Sequence, residues 1–217
     1  MVIKNNLTAT IVATSISIGV FAALCIGAIV ITQQLTKADI AQQRYQAKIA
    51  LLQELLADTR YNNNLLASAS ALPNSTSLGI IDSTRGYKAS LDQQTVAIIL
   101  PITSNDGYSG KIELLVAVGA QHKVIGVRAL VHQETPGLGD KIEIKKSDWI
   151  NSFIGKSLDN TPSNAWGVKK HQGDFDQLTG ATITSRAVIN AVHETLVYIQ
   201  KNPQLLDERT IKNPVYN

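Results

Sequence analysis

Asp174-Phe175-Asp176-Gln177-Leu178-Thr179-Gly180-Ala181-Thr182-Ile183-Thr184-Ser185 runs without a break into a segment of helical periodicity. Val188, Ala191, Val192, Leu196 and Ile199 fall on one face of a helix expected from about Thr184 to Gln200. A hydroxyl-rich turn with one glycine therefore meets a helix N-terminus. Orphan backbone N–H groups and the helix dipole favour an anion such as phosphate at that place. The ordinary alternative is that Thr182 or Thr184 only caps the helix. Spacing leaves both readings open.

Upstream the periodicity is that of strands. Thr95-Val96-Ala97-Ile98-Ile99-Leu100-Pro101 is a short β-rich run. Lys111 to Val118 alternates and then turns uniformly apolar, and Val124 to Val131 follows after a short turn, so the two read as a hairpin. Asp106-Gly107-Tyr108-Ser109-Gly110 is the turn that introduces it. His132-Gln133-Glu134-Thr135-Pro136-Gly137-Leu138-Gly139-Asp140 reads as an exposed loop, stiffened by Pro136. Ser147 to Phe153 is expected to be helical, with Trp149, Ile150 and Phe153 inward. Trp166 to Lys170 reads as a last short strand. Strands in antiparallel succession followed by helices make the fold class α+β.

The N-terminal third is different. No charged residue stands between Lys4 and Lys37, and Ile11 to Ile31 is long enough to span about 30 Å of hydrocarbon as a helix. The apolar region exceeds that of a signal peptide, and Leu24 before Cys25 makes a poor lipidation site, so a retained single-span anchor is expected. Residues 37–58 continue as a helical pattern. This pattern fits a stalk and fits equally a helix packed on its own domain. Lys37, Arg44 and Lys48 would hold the large domain in the cytoplasm by a simple charge count, but long domains translocate largely regardless of such charges.

Composition narrows the chemistry. The net charge of +3 is dispersed, and aromatic residues make up 5%, which argues against a nucleic-acid groove. Cys25 is the only cysteine, so this chain forms no internal disulfide, cysteine-based zinc site or iron–sulfur ligand set. The four histidines lack zinc spacing, and the chain has no Walker loop, dinucleotide fingerprint or Gly-x-Ser-x-Gly elbow. Taken singly, Glu134 reads as a turn carboxylate, His132 as a strand-end residue and Lys169 as part of a solvated face.

Together these segments resemble a known family. Asp106-Gly107-Tyr108-Ser109-Gly110, His132-x-Glu134-Thr135-Pro136-Gly137-Leu138-Gly139-Asp140-Lys141-Ile142, Ser147-Asp148-Trp149, Trp166-x-Val168-Lys169-Lys170 and Asp174-Phe175-Asp176-Gln177-x-Thr179-Gly180-Ala181-Thr182-x-Thr184 occur in order. They resemble RnfG (RsxG), a component of the Rnf (Rsx) ion-translocating electron-transport complex. They are also similar to the NqrC component of the sodium-pumping NADH:quinone reductase through a shared FMN-binding domain.

The resemblance implies an FMN attached covalently, by a phosphoester, to the last threonine of Asp-x-x-Ser/Thr-Gly-Ala-Thr. That position is Thr182, with Thr179 and Thr184 as alternatives within reach. A separate flavin transferase would attach it from FAD. Thr179, Gly180 and Ala181 would flank the ester. Glu134, Thr135, Gly137, Leu138 and Gly139 would lie against the isoalloxazine, with Lys169 or Lys141 as a cation near the ring.

The implied organisation is a cytoplasmic N-terminus at 1–9, a transmembrane helix at 10–32 and a helical stalk and linker at 33–77. A compact FMN-binding domain at 78–202, with an antiparallel sheet and flanking helices, precedes a C-terminal tail at 203–217. The implied function is electron transfer within a complex of the ferredoxin/NAD type, beside the A, B, C, D and E components of the Rnf complex. No independent catalytic activity is expected of the isolated chain. The flavin domain would lie on the periplasmic side of a bacterial inner membrane. The alternative is a membrane-anchored flavoprotein sensor or docking module with no part in ion translocation.

Overall fold

A computed structural model describes residues 2–73, 75–79 and 85–206. The chain divides into two units, residues 1–48 and residues 49–217. Helix α1 (Val2–Leu55) starts in the first, and its last turns belong to the second.

Within the first unit, Thr10–Lys37 is a helical stretch of 28 residues with a mean hydropathy of 2.3, long and apolar enough to cross a membrane. It reaches past the expected end at residue 32. Ile16, Phe21, Leu24 and Ile29 are exposed along it. In water such a surface would be a large apolar patch, whereas lipid covers it at no cost. Its hydroxyls do not oppose this, because Thr14, Ser17 and Thr32 each donate to the carbonyl four residues back.

The second unit is built on one antiparallel sheet in the order β1-β2-β3-β4-β5. Its strands are β1 (Ser70–Ala71), β2 (Arg85–Leu91), β3 (Gln94–Gly107), β4 (Gly110–Gly119) and β5 (Val124–Val131). Register pairs Leu100 with Val116 and Val116 with Val127 across the centre. Alternate side chains serve two apolar layers. Ile98, Leu100, Ile102, Leu114, Val116 and Val118 face the layer that contains helix α2 (Thr182–Lys201). Ala97, Ile99, Leu115 and Ala117 face the other, which Leu52, Leu55, Leu56 and Leu65 cover. Both faces are buried, which explains why Leu114 to Val118 loses its alternation in the sequence.

Residues 49–72, which the sequence reading places in the stalk and linker, thus belong to the compact unit. Of the two readings of the 37–58 pattern, the second describes its C-terminal end, which packs on its own domain. Polar contacts fix the attachment. Arg128 on β5 pairs with Glu54 at 2.9 Å. Asn63 donates to the carbonyl of Lys88 and accepts from the N–H of Ser90, each at 2.8 Å, so the asparagine-rich loop is stitched to β2.

Two expected elements take another form. Trp166 to Lys170 is not a strand but a single parallel bridge between Val168 and Phe175, followed by a 3-10 turn at Lys169–His171. Ser147 to Phe153 is a 3-10 helix at Asp148–Phe153, capped by Ser147. Ile150 and Phe153 are fully buried and Trp149 half-buried. Of the expected tail, Pro203–Leu205 forms a 3-10 turn, while residues 207–217 lie outside the described residues.

Leu52 is fully buried at the contact between the end of α1 and the sheet. Leu52→Ala is expected to lower the unfolding free energy by about 2–5 kcal/mol, as for other buried leucines truncated to alanine. Chemical denaturation of the detergent-solubilised chain measures this. A change below about 0.5 kcal/mol, the range of surface substitutions, would mean the helix end does not belong to the domain core.

Candidate functional site

The turn before α2 is held by what flanks it. Phe175 is buried between Phe153 and Trp166, with ring centroids at 4.8 and 5.4 Å. Its carbonyl accepts the N–H of Lys169 at 2.8 Å. The indole N–H of Trp149 donates to the carbonyl of Asp176 at 2.6 Å. Ser185, fully buried in the first turns of α2, accepts the N–H of Leu178 and donates to the carbonyl of Ala181, both at 3.0 Å. Between these anchors Thr179 and Gly180 are pushed to the surface. Gly180 has φ +76°, and a Cβ there would lie 2.9 Å from Leu138 Cδ2, so glycine meets both a left-handed backbone and a close neighbour.

Helix α2 starts at Thr182, with Ala181 in the N-cap position and no side-chain cap. Neither Thr182 nor Thr184 caps it, so the ordinary reading of the motif does not describe the structure. Three backbone N–H groups at Thr182, Ile183 and Thr184 have no intrahelical carbonyl to reach. They open, with the positive end of the dipole, onto a cavity of about 470 Å³. Its wall consists of Tyr108, Glu134, Thr135, Leu138, Gly139, Gly180, Ala181, Thr182, Ile183 and Thr184.

The structure brings together most, not all, of the expected site residues. Glu134, Thr135, Leu138, Gly139, Gly180, Ala181 and Thr182 share this wall. Thr179 and Gly137 are exposed and lie outside it. Lys169 lies outside it too, paired with Asp176 at 2.8 Å, and Lys141 is not on the wall. Tyr108 and Ile183 join the wall although the sequence does not single them out as site residues. Their one sequence signal is an exposed aromatic at the tip of a polar turn and an apolar residue between two threonines.

The three threonines differ. Thr184 is fully buried and its hydroxyl donates to Glu134 Oε2. Thr179 is exposed away from the cavity. Thr182 is half-buried on the wall, and among the described residues no hydrogen bond engages its hydroxyl. The cavity thus offers N–H donors for a phosphate, an unengaged hydroxyl beside them, and apolar walls from Tyr108, Leu138 and Ile183. Its volume is that of sites which hold small ligands and cofactors.

A charged cluster supports the loop that forms one wall. Asp140 is buried and pairs with Lys146 at 2.9 Å, and Glu143 pairs with the same ammonium at 2.7 Å. The N–H of Glu134 donates to His132 Nδ1 at 3.2 Å, which makes Nε2 the protonated nitrogen that faces Glu143 at 3.1 Å. The Gly137 backbone N–H, then the Lys146 ammonium, hold the Asp140 carboxyl below the usual carboxylate range. Glu143, then Asp140, hold the Lys146 ammonium above its ordinary value.

Residues 107–197 match the model of the FMN-binding domain family, and residues 3–55 match that of the RnfG N-terminal region. Three relatives carry one description, the G component of an ion-translocating oxidoreductase complex. The Escherichia coli protein is 45% identical over 193 residues, which cover 89% of this chain and 93% of the relative. One from Pseudomonas aeruginosa is 44% identical over 189 residues, 87% and 88% of the two chains. One from Shewanella oneidensis is 41% identical over 185 residues, 85% and 87%.

The Asp140–Lys146 pair gives the stability a pH dependence of defined sign. A carboxyl with a lowered folded-state pKa stabilises the fold above its unfolded value of about 3.9 and loses that contribution as the pH falls through the folded value. Asp140→Asn is therefore expected to melt at a lower temperature than wild type at pH 7, with the gap narrowing below about pH 4. Thermal melts across pH check this. A gap that widens on acidification would contradict it.

Proposed function

The chain belongs to the RnfG family of ion-translocating oxidoreductase complexes, and from that premise we propose that it carries electrons through an FMN joined by a phosphoester to Thr182. The family makes it a membrane-anchored electron-transfer component of a translocase, with a domain that binds FMN. The observation that carries the finer reading is the contrast among the threonines. Among Thr179, Thr182 and Thr184, Thr182 alone combines an unengaged hydroxyl with a place on the cavity wall.

The attachment is a group transfer. Thr182 Oγ forms a bond to the flavin-side phosphorus of FAD as the pyrophosphate bond breaks. AMP leaves, and the hydroxyl proton passes to a base of the flavin transferase. An alkyl hydroxyl is a weak nucleophile at its own pKa, and no base lies within hydrogen-bond reach of Thr182 among the described residues, so a second protein must activate it. Gly180, exposed beside the acceptor, places no side chain in the way of that enzyme. The ester phosphate keeps a negative charge, which the start of α2 stabilises by about 0.3–1 kcal/mol.

When bound, FMN supplies the redox chemistry, and the protein supplies orientation and surroundings. Leu138, Ile183 and Tyr108 offer apolar surfaces against which a planar ring would lie. Thr135 and the backbone of Gly139 complete the same wall. Lys169 pairs with Asp176 at the surface, and among the described residues of the wall none is cationic.

The complex is of the ferredoxin/NAD type, with the A, B, C, D and E components as neighbours. The compact unit lies on the periplasmic side of the inner membrane, where a covalent tether keeps the cofactor from being lost. The large domain following a single span is of a size that translocates regardless of the flanking lysines.

Mass spectrometry of the peptide that spans Asp174 to Arg186 is expected to find one FMN on Thr182. Thr182→Ala is expected to abolish the flavin fluorescence that survives denaturation, and retention of that fluorescence would refute the linkage. A reporter fused after residue 217 tests the topology separately. A periplasm-active reporter is expected to work, and activity only from a cytoplasmic one would refute the orientation.

A further inference from the structure

Glu134 lies on the cavity wall, yet its side chain is only 4% exposed and both carboxyl oxygens are engaged by the protein. Oε1 accepts the backbone N–H of Ser109 at 3.0 Å, and Oε2 accepts the hydroxyl of Thr184. These partners belong to the two other walls: Ser109 follows Tyr108 in the β3–β4 turn, and Thr184 stands on the first turn of α2. Two glycines mark the space that the carboxyl fills. A Cβ on Gly107 would lie 2.8 Å from Oε1, and one on Gly139 would lie 2.9 Å from Oε2 and from Thr184 Oγ1. The N–H of Glu134 is tied in turn to His132.

We propose that Glu134 is a positioning residue that selects the acceptor threonine: its carboxyl holds the Thr184 hydroxyl inward and thereby leaves Thr182 as the threonine whose hydroxyl opens to the cavity. The geometry follows from helix periodicity. Residues two apart on an α-helix stand about 200° apart, so a first turn with residue 184 fixed inward presents residue 182 outward. The same carboxyl fastens the Tyr108 turn, so one group joins all three walls. Glu134 acts on the flavin site through the protein, each of its oxygens already accepting from a neighbouring wall. This inference rests on the attachment of FMN to Thr182.

Four variants expressed with the flavin transferase test it: Glu134→Gln, Glu134→Ala, Thr184→Val and the Ala/Val double variant. The readouts are which threonine of the 174–186 peptide carries FMN, the FMN per chain, and the amide exchange rate of Ser109. Glutamine keeps one acceptor for Ser109 and a polar partner for Thr184, so Glu134→Gln is expected to load as wild type. Glu134→Ala leaves buried donors unpaired and is expected to load Thr182 about tenfold less, with part of the remaining FMN on Thr184, and to exchange Ser109 about tenfold faster. Thr184→Val preserves shape and is expected to reduce loading, with the double variant loading no less than Glu134→Ala alone, because Glu134→Ala has already broken the bond to Thr184. Wild-type loading in Glu134→Ala, multiplying losses in the double variant, or a Glu134→Gln protein that melts as wild type but loads as Glu134→Ala would each overturn the positioning role. A wild-type peptide without FMN on Thr182 would instead overturn the proposed function, and the Ser109 exchange rate would still report whether the carboxyl holds the turn.

Discussion

Helix α2 lies across β3 and β4 through Val188, Val192, Leu196 and Ile199, all buried against the apolar face of the sheet. Each such side chain contributes about 1.5–3 kcal/mol by leaving water. Thr195, buried on the same face, donates to the carbonyl of Ala191 and so enters the layer with its hydroxyl satisfied. This packing sets the axis of the helix, and the bond from Thr184 to Glu134 fixes the rotation of its first turn. The N-terminus then has only one place to be, against the loop from Glu134 to Asp140. The cavity is the space left between the helix start, that loop and the β3–β4 turn.

Most helices close their first turn with a side chain at the N-cap. Here Ala181 occupies that position, and Ser185 secures the incoming chain from inside the helix. The start of the helix is therefore held firmly while its N–H groups stay available. A capping serine or threonine at residue 181 would stabilise the helix but would use up a donor that a phosphate can take. The local sequence thus has a weaker helix start and leaves these donors without a side-chain partner.

The strands, their hairpin order and the apolar face of α2 were legible because burial on one side imposes a period, and period survives in sequence. Other features depended on tertiary choices that leave no period. The 37–58 pattern is amphipathic whether it meets its own domain or nothing, and only Leu52, Leu55 and Leu56 under the sheet decide the matter. Trp166 to Lys170 has strand-like residues but only one bridging partner, Phe175, so it stops at a bridge. The motif around Lys169 suggests a place near the ring, yet Asp176 draws its side chain elsewhere. Tyr108 and Ile183 line the cavity because a turn tip and a helix start aim them there, which no spacing encodes. Among the site residues, the contrast between Thr182 and Thr184 needed the buried partner, Glu134, to become visible.

The cover that Leu52, Leu55, Leu56 and Leu65 place over the second face of the sheet has a consequence for any shortened form of this protein. Cutting the chain at Leu78, where the strands begin in sequence, would strip that cover from Tyr87, Ala89, Ile99 and Leu115. The remaining fragment would carry an intact cavity beneath a bare apolar sheet, prone to pair with its own copies. A cut before Ile49 removes the membrane span and keeps the lid. The last turns of the anchoring helix are, in this sense, the first piece of the folded domain.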